Sequence, residues 1–122
     1  MEFTLSIIKP NSVDDSDEII KKILNMHSVK LVRSKKFQMT KEQATLLYEE
    51  HKERSTFPIL IEFMSSGPVI AMELEGYNII QRHRALMIHI RKEYGVNWLM
   101  NSIHGSDSRE SAKREIDLVF NF

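Results

Sequence analysis

Val69-Ile-Ala-Met-Glu-Leu74 is nearly all apolar and lies between the breakers Ser66-Gly67-Pro68 and Gly76. Such a run is expected of a central strand covered on both faces, so the rest of the chain has to supply that cover. Phe3, Leu5 and Ile7 alternate with Thr4 and Ser6 in the period of a strand. Pro10 stops it directly after Ile8-Lys9, so this first strand ends by presenting Lys9. Residues 29–39 also alternate and predict a long, partly exposed strand whose Arg33, Lys35 and Lys36 form a solvated face.

Helical stripes separate the strands. Ile19, Ile20, Ile23 and Leu24 share one face, preceded by Asp14, Asp15, Asp17 and Glu18, which are expected to cap that helix and complement its dipole. Thr40-Lys-Glu-Gln43 has the form of a capping box, and Ala44, Leu47, Tyr48 and His51 follow at helical spacing. Tyr48 and His51 read, on this pattern, as half-buried helix residues. Residues 57–64 predict a short helix, and Ile79, Ile80, His83, Leu86 and Met87 form a further stripe with His83 on its apolar side. Arg82 and Arg84 sit off that stripe, facing solvent or a site. Residues 88–98 have both helix and strand character, with a break near Gly95. Ala112, Ile116 and Val119 mark a last helix starting near Ser108. The pattern predicts an α+β sandwich with one helix-covered sheet.

A chain of 122 residues without a linker is expected to form one domain, 1–122. Lysine plus arginine and aspartate plus glutamate number 17 each, so no global field gathers nucleic acid or an anionic membrane. Any bound anion needs a local site. The absence of cysteine excludes disulfides, thiolate metal sites and thiol catalysis. No segment reaches transmembrane length and no targeting pattern opens the chain, so the expectation is a soluble cytoplasmic protein with neither a membrane nor a specific nucleic acid as partner.

The most chemically suggestive segment is Asn101-Ser-Ile-His-Gly-Ser-Asp-Ser108. An imidazole beside a glycine and three small polar residues suits a histidine held against an anion, and a helix N-terminus nearby favours the same ligand. The same residues also make an ordinary turn into a helix cap, and the octet alone leaves both readings open.

Together with Ile7-Ile-Lys-Pro10, Phe63-Met-Ser-Ser-Gly-Pro68 and Glu75-Gly76, in this order, the octet resembles the nucleoside diphosphate kinases from about Phe3 to Phe120. The resemblance implies a ferredoxin-like βαββαβ sandwich, its antiparallel sheet covered by helices. It also implies ping-pong transfer of a γ-phosphate from a nucleoside triphosphate to a nucleoside diphosphate through a phosphohistidine. Within it, His104 matches the nucleophile, Glu115 the carboxylate that orients it and Ser106 the associated hydroxyl. Lys9, Arg84 and Arg91 match the phosphate-binding cations, Lys9 also reaching the sugar. Asn101 matches a sugar ligand, and Tyr48 the tyrosine near Lys9 and the histidine. Magnesium is expected to arrive on the nucleotide phosphates, without a protein ligand cluster. The family also implies a homo-oligomer built on dimers, either a tetramer or a hexamer.

The chain departs from the family in four places. Arg54-Ser-Thr-Phe57 replaces Arg-Pro-Phe-Phe, so Thr56 stands where an aromatic stacks on the base; Leu60 matches the opposite apolar contact, and Phe57 is the candidate replacement. Stacking of this kind is worth roughly 1 to 3 kcal/mol, so weaker nucleotide affinity with little base preference is expected. Only Ile88, His89 and Ile90 lie between Met87 and Arg91, where most members carry about ten more residues, among them a phosphate-contacting threonine and contacts that hold hexamers together. His89 is a candidate substitute for that phosphate donor. Asn11 replaces the acid after Lys-Pro, and Trp98 replaces a smaller apolar residue, as either a stacking face or a space filler.

The alternative to an active kinase is a nucleotide-sensing or protein-interaction module of the same fold with little turnover. An RNA-binding ferredoxin-like domain is disfavoured by zero net charge and the lack of a strand aromatic pair. A Ser-His-Asp hydrolase is disfavoured because His104, Ser106 and Asp107 are nearly adjacent and no Gly-x-Ser-x-Gly elbow occurs.

Overall fold

The computed structural model describes all residues, Met1–Phe122. Strands β1 (Glu2–Ile8), β2 (Lys30–Phe37), β3 (Val69–Gly76) and β4 (Ile103–Gly105) form one sheet in the order β2-β3-β1-β4. Every neighbouring pair is antiparallel. Helix α1 (Ser16–Leu24) joins β1 to β2, α2 (Lys41–Leu47) and α3 (Phe57–Met64) lie between β2 and β3, α4 (Ile79–Tyr94) precedes β4, and α5 (Arg109–Val119) follows it. This is the βαββαβ order with α2, α3 and α5 added. No helix is long and apolar enough to cross a membrane.

β3 is central, and its alternating side chains feed two cores. Val69 and Ala71 join Leu5 and Ile7 of β1 under α2, α3 and α5. Met72 and Leu74 join Ile8 and Ile103 under α1 and α4. Period-two alternation thus sends each strand into both layers, and the sheet is covered on both faces.

The capping box at Thr40 forms as predicted, Thr40 Oγ1 accepting from the Gln43 amide and Gln43 Oε1 from the Thr40 amide. Three local expectations change. Asp14 and Asp15 belong to a 3-10 turn over Pro10–Asp15, and Asp15 precedes α1 without a side-chain cap, so only Asp17 and Glu18 stand in the first turn against the dipole. Arg33 and Lys35 are engaged rather than merely solvated: Arg33 Nε bonds Glu73 Oε1 at 2.7 Å and its guanidinium lies over the Phe120 ring, while Lys35 Nζ donates to the Val119 and Phe122 carbonyls. Residues 88–94 are helical, continuing α4 unbroken until Gly95. Where relatives are expected to insert a loop, this chain runs through as helix, which sets Arg84 and Arg91 two turns apart on one face.

Candidate active site

β4 carries His104 between β1 and the free edge of the sheet. His104 pairs with Ile7 across the ladder, so its side chain shares a face with Ile7 and Leu5, beneath α2 and α5. Lys9 follows β1 directly and is anchored there by its backbone amide, which donates to the Ser102 carbonyl at 2.8 Å. Ser102 is buried with a left-handed φ of 79°. Its hydroxyl offsets that strain by bonding Ser12 Oγ at 2.8 Å and the Asn11 amide at 3.3 Å. Asn11 Nδ2 also donates to the Met100 carbonyl. A carboxylate accepts only, so the acid expected after Lys-Pro would lose this bond to the segment that leads into β4.

His104 Nε2 lies 2.8 Å from Glu115 Oε1, which also accepts from Ser106 Oγ at 3.0 Å. Ser106 Oγ accepts in turn from the Leu5 amide at 3.1 Å. Because an ionised carboxylate only accepts, Nε2 is the protonated nitrogen and Nδ1, which has no partner in the protein, keeps a free lone pair. Ser108 caps α5 by accepting from the Ser111 amide, and this short turn brings Glu115 back over β4. Tyr48, at the end of α2, packs its ring edge-on to the imidazole with centroids 5.5 Å apart. It is fully buried, more so than its sequence pattern suggested, whereas His51 is half-buried. Burial, reinforced by the Glu115 charge, pushes the Tyr48 phenol well above its ordinary value.

The cations come from two directions. Lys9 is only 5% exposed and makes no hydrogen bond or ion pair through its ammonium. Burial, with repulsion from Arg91 as the second cause, pulls it down to about 8. Arg91 donates to the Ile103 carbonyl at 3.0 Å and Arg84 to the Gly105 carbonyl at 3.3 Å. Both carbonyls face the outer edge of β4, so the arginines satisfy a free strand edge while converging on the histidine. Burial and the neighbouring Arg84 lower Arg91 from its ordinary value. Gly105 is required by proximity: a Cβ there would collide with Met87 Sδ and with the His83 ring on α4. His83 is completely buried, its Nε2 bonded to Ser6 Oγ at 2.8 Å. Burial, with the charges of Arg84 and Arg91 adding to it, pulls it down to about 3.

These groups open onto a cleft of about 420 Å³. Nine of the ten predicted site residues line it: Lys9, Tyr48, Phe57, Leu60, Arg84, Arg91, Asn101, His104 and Glu115. Ser106 stands behind Glu115, buried. Thr56 and Trp98 also line the cleft, whereas His89 is exposed elsewhere on α4 and is absent from its walls. Sequence reasoning missed Glu50 and Arg114, which close one side through a 3.1 Å ion pair between elements 64 residues apart. No local spacing announces such a pair. Three buried polar atoms of the wall, Tyr48 Oη, Arg91 Nε and Asn101 Oδ1, have no partner. An unpaired buried ammonium beside orphaned donors and an acceptor suits a ligand with both anionic and hydroxyl groups. No three histidine, cysteine, aspartate or glutamate side chains are grouped to hold a metal ion.

A family model for nucleoside diphosphate kinase matches residues 2–122. A nucleoside diphosphate kinase of Halalkalibacterium halodurans is 44% identical over 133 residues, covering 98% of this chain and 89% of the relative. Those 133 residues exceed the 122 of this chain, so the relative has residues that this chain lacks. An orthorhombic crystal structure of the Aquifex aeolicus nucleoside diphosphate kinase is similar with a TM-score of 0.92 at 36% identity, covering 98% of this chain and 94% of that one. The chain belongs to the nucleoside diphosphate kinase family, enzymes that act on nucleoside phosphates.

Proposed function

We propose that the chain moves the γ-phosphate of a nucleoside triphosphate to a nucleoside diphosphate in two steps through a phosphohistidine at His104. The observation that carries this reading is the 2.8 Å contact between Glu115 and His104 Nε2, which leaves Nδ1 as the nucleophilic nitrogen. In the first step an Nδ1–P bond forms as the bond from γ-phosphorus to the β,γ-bridging oxygen breaks, and the nucleoside diphosphate leaves with that oxygen's electron pair. In the second, a terminal β-phosphate oxygen of the acceptor diphosphate attacks the phosphohistidine and Nδ1 recovers its lone pair.

Phosphoryl transfer needs positioning and charge neutralisation more than covalent help from other groups. Lys9, Arg84 and Arg91 serve the phosphates, Glu115 and Ser106 hold the imidazole, and Tyr48 with its unpaired hydroxyl steadies the ring and meets a polar group of the substrate. Asn101 serves the sugar with its unpaired carbonyl, and Phe57 and Leu60 supply apolar contact. Magnesium enters as part of the nucleotide substrate, whose phosphate oxygens are the hard ligands this ion prefers. A homo-oligomer built on dimers accords with the unpaired outer edge of β2, and its solution mass tests that part; the cytoplasm is the compartment proposed for it. The low-turnover alternative is favoured only by Thr56 and the short segment after Met87, neither of which touches the His104–Glu115–Ser106 chain.

Initial rates with both nucleotides varied test the reading. Parallel double-reciprocal lines are expected for a phosphoenzyme; intersecting lines would require both nucleotides to bind before transfer and would overturn it.

A further inference from the structure

We infer that Trp98 is the surface on which this enzyme stacks the nucleobase, the aromatic wall having moved there from the position of Thr56. The inference rests on the nucleotide reading of the cleft. Besides His104 itself, four residues with rings line that cleft: Tyr48, His51, Phe57 and Trp98. Tyr48 is buried edge-on to His104, and His51 lies beside Tyr48. Phe57 is half-buried and packs against the core under α2 and α3, which leaves it an edge contact with the cleft and not a free stacking face. Thr56 has no ring.

Trp98 is 61% exposed. A residue filling the volume of a missing loop would be covered, and this one is not. Its turn is nevertheless well fixed. Asn97 Oδ1 accepts from the Leu99 and Met100 amides at 2.9 and 2.8 Å, and the Val96 amide donates to the Met100 carbonyl at 2.8 Å. The Trp98 carbonyl accepts from Asn101 Nδ2 at 3.1 Å, coupling the turn to the residue proposed for the sugar. An exposed indole on a rigid turn beside a sugar ligand loses little entropy on stacking and gains by covering its face. Stacking tolerates any base but grows with ring area, so purine nucleotides bind more tightly than pyrimidine nucleotides.

Trp98 is the sole tryptophan, so its fluorescence reports the contact directly. Titration of the full chain with magnesium and ADP, GDP, CDP, UDP or inorganic pyrophosphate is expected to show quenching by the nucleotides, strongest for purines. Pyrophosphate is expected to compete with ADP while leaving the fluorescence unchanged. Trp98→Ala is expected to raise the KM for ADP by roughly tenfold, with Trp98→Phe restoring most of it. Equal quenching by pyrophosphate and ADP, or an unchanged KM in Trp98→Ala, would overturn the inference. Labelling of His104 by Mg-ATP is measured separately: its absence in the wild type would refute the phosphohistidine, whereas base-dependent quenching would still support the stacking role.

Discussion

Glu115 Oε1 lies 2.8 Å from His104 Nε2, although eleven residues separate them and they stand on different elements. β4 ends at Gly105, and α5 starts at Arg109 and returns over the sheet, so the distance is set by the turn between them. Glu115→Ala removes the acceptor that fixes the imidazole tautomer and leaves the Ser106 hydroxyl without its buried partner. A loss in kcat of about 100-fold is expected, with Glu115→Gln retaining more activity because its amide oxygen still accepts from Nε2. Steady-state rates of the two variants check this, and equal rates for Glu115→Ala and wild type would remove Glu115 from the mechanism.

Lys9 titrates at about 8 in the free protein, where an exposed lysine does so near 10.5. Between those values the unfolded chain binds a proton that the folded chain has lost, so this group makes stability rise with pH across that window. Below about 8 the folded state carries the full cost of a buried ammonium. Nucleotide phosphates favour the charged form, so binding is expected to take up a proton just above pH 8 and to weaken as pH climbs further. Calorimetry in two buffers of different ionisation enthalpy measures that uptake. Lys9→Met is expected to stabilise the free protein by about 1 kcal/mol or more while lowering kcat about 100-fold or more.

Gly105 on β4 lies close against Met87 and His83 of α4, with no room for a side chain between them. His83 is neutral and buried, pulled down to about 3, whereas an unfolded histidine binds a proton near 6.5. Stability from this residue is therefore complete above about 6.5 and is lost as pH falls toward 3. His83→Gln is expected to flatten that acid limb in urea-unfolding curves. Gly105→Ala introduces the collision with Met87 and His83, and a destabilisation of about 1 to 3 kcal/mol is expected. It should also reduce kcat/KM, because α4 carries Arg84 and Arg91.

The legible parts of the fold are those with local causes. The β3 run, the alternation of β1 and the Thr40 capping box each depend on neighbours within a few residues. Sheet order does not, and the βαββαβ arrangement came through the resemblance. The end of α4 was obscured because Ile88, His89 and Ile90 do not distinguish helix from strand, and only tertiary cover of Met87 and Ile90 decides between them. Arg33 and Lys35 looked solvated because their partners, Glu73 and the carbonyls at the chain's end, lie 40 or more residues away. At the site, the octet announced His104, but the Glu115 contact, the isolation of Lys9 and the Glu50–Arg114 pair required the folded chain.

In the proposed reaction, Nδ1 of His104 carries the phosphoryl group between two nucleotides. The direct measurement is to incubate the protein with Mg-ATP labelled in the γ-phosphate, remove nucleotide, map the label and then add an unlabelled nucleoside diphosphate. Acid-labile phosphate is expected on Nδ1 of His104, with complete transfer to the added diphosphate and no label in His104→Ala. An unlabelled wild type, or transfer by His104→Ala at the wild-type rate, would rule out His104 as the phosphate carrier.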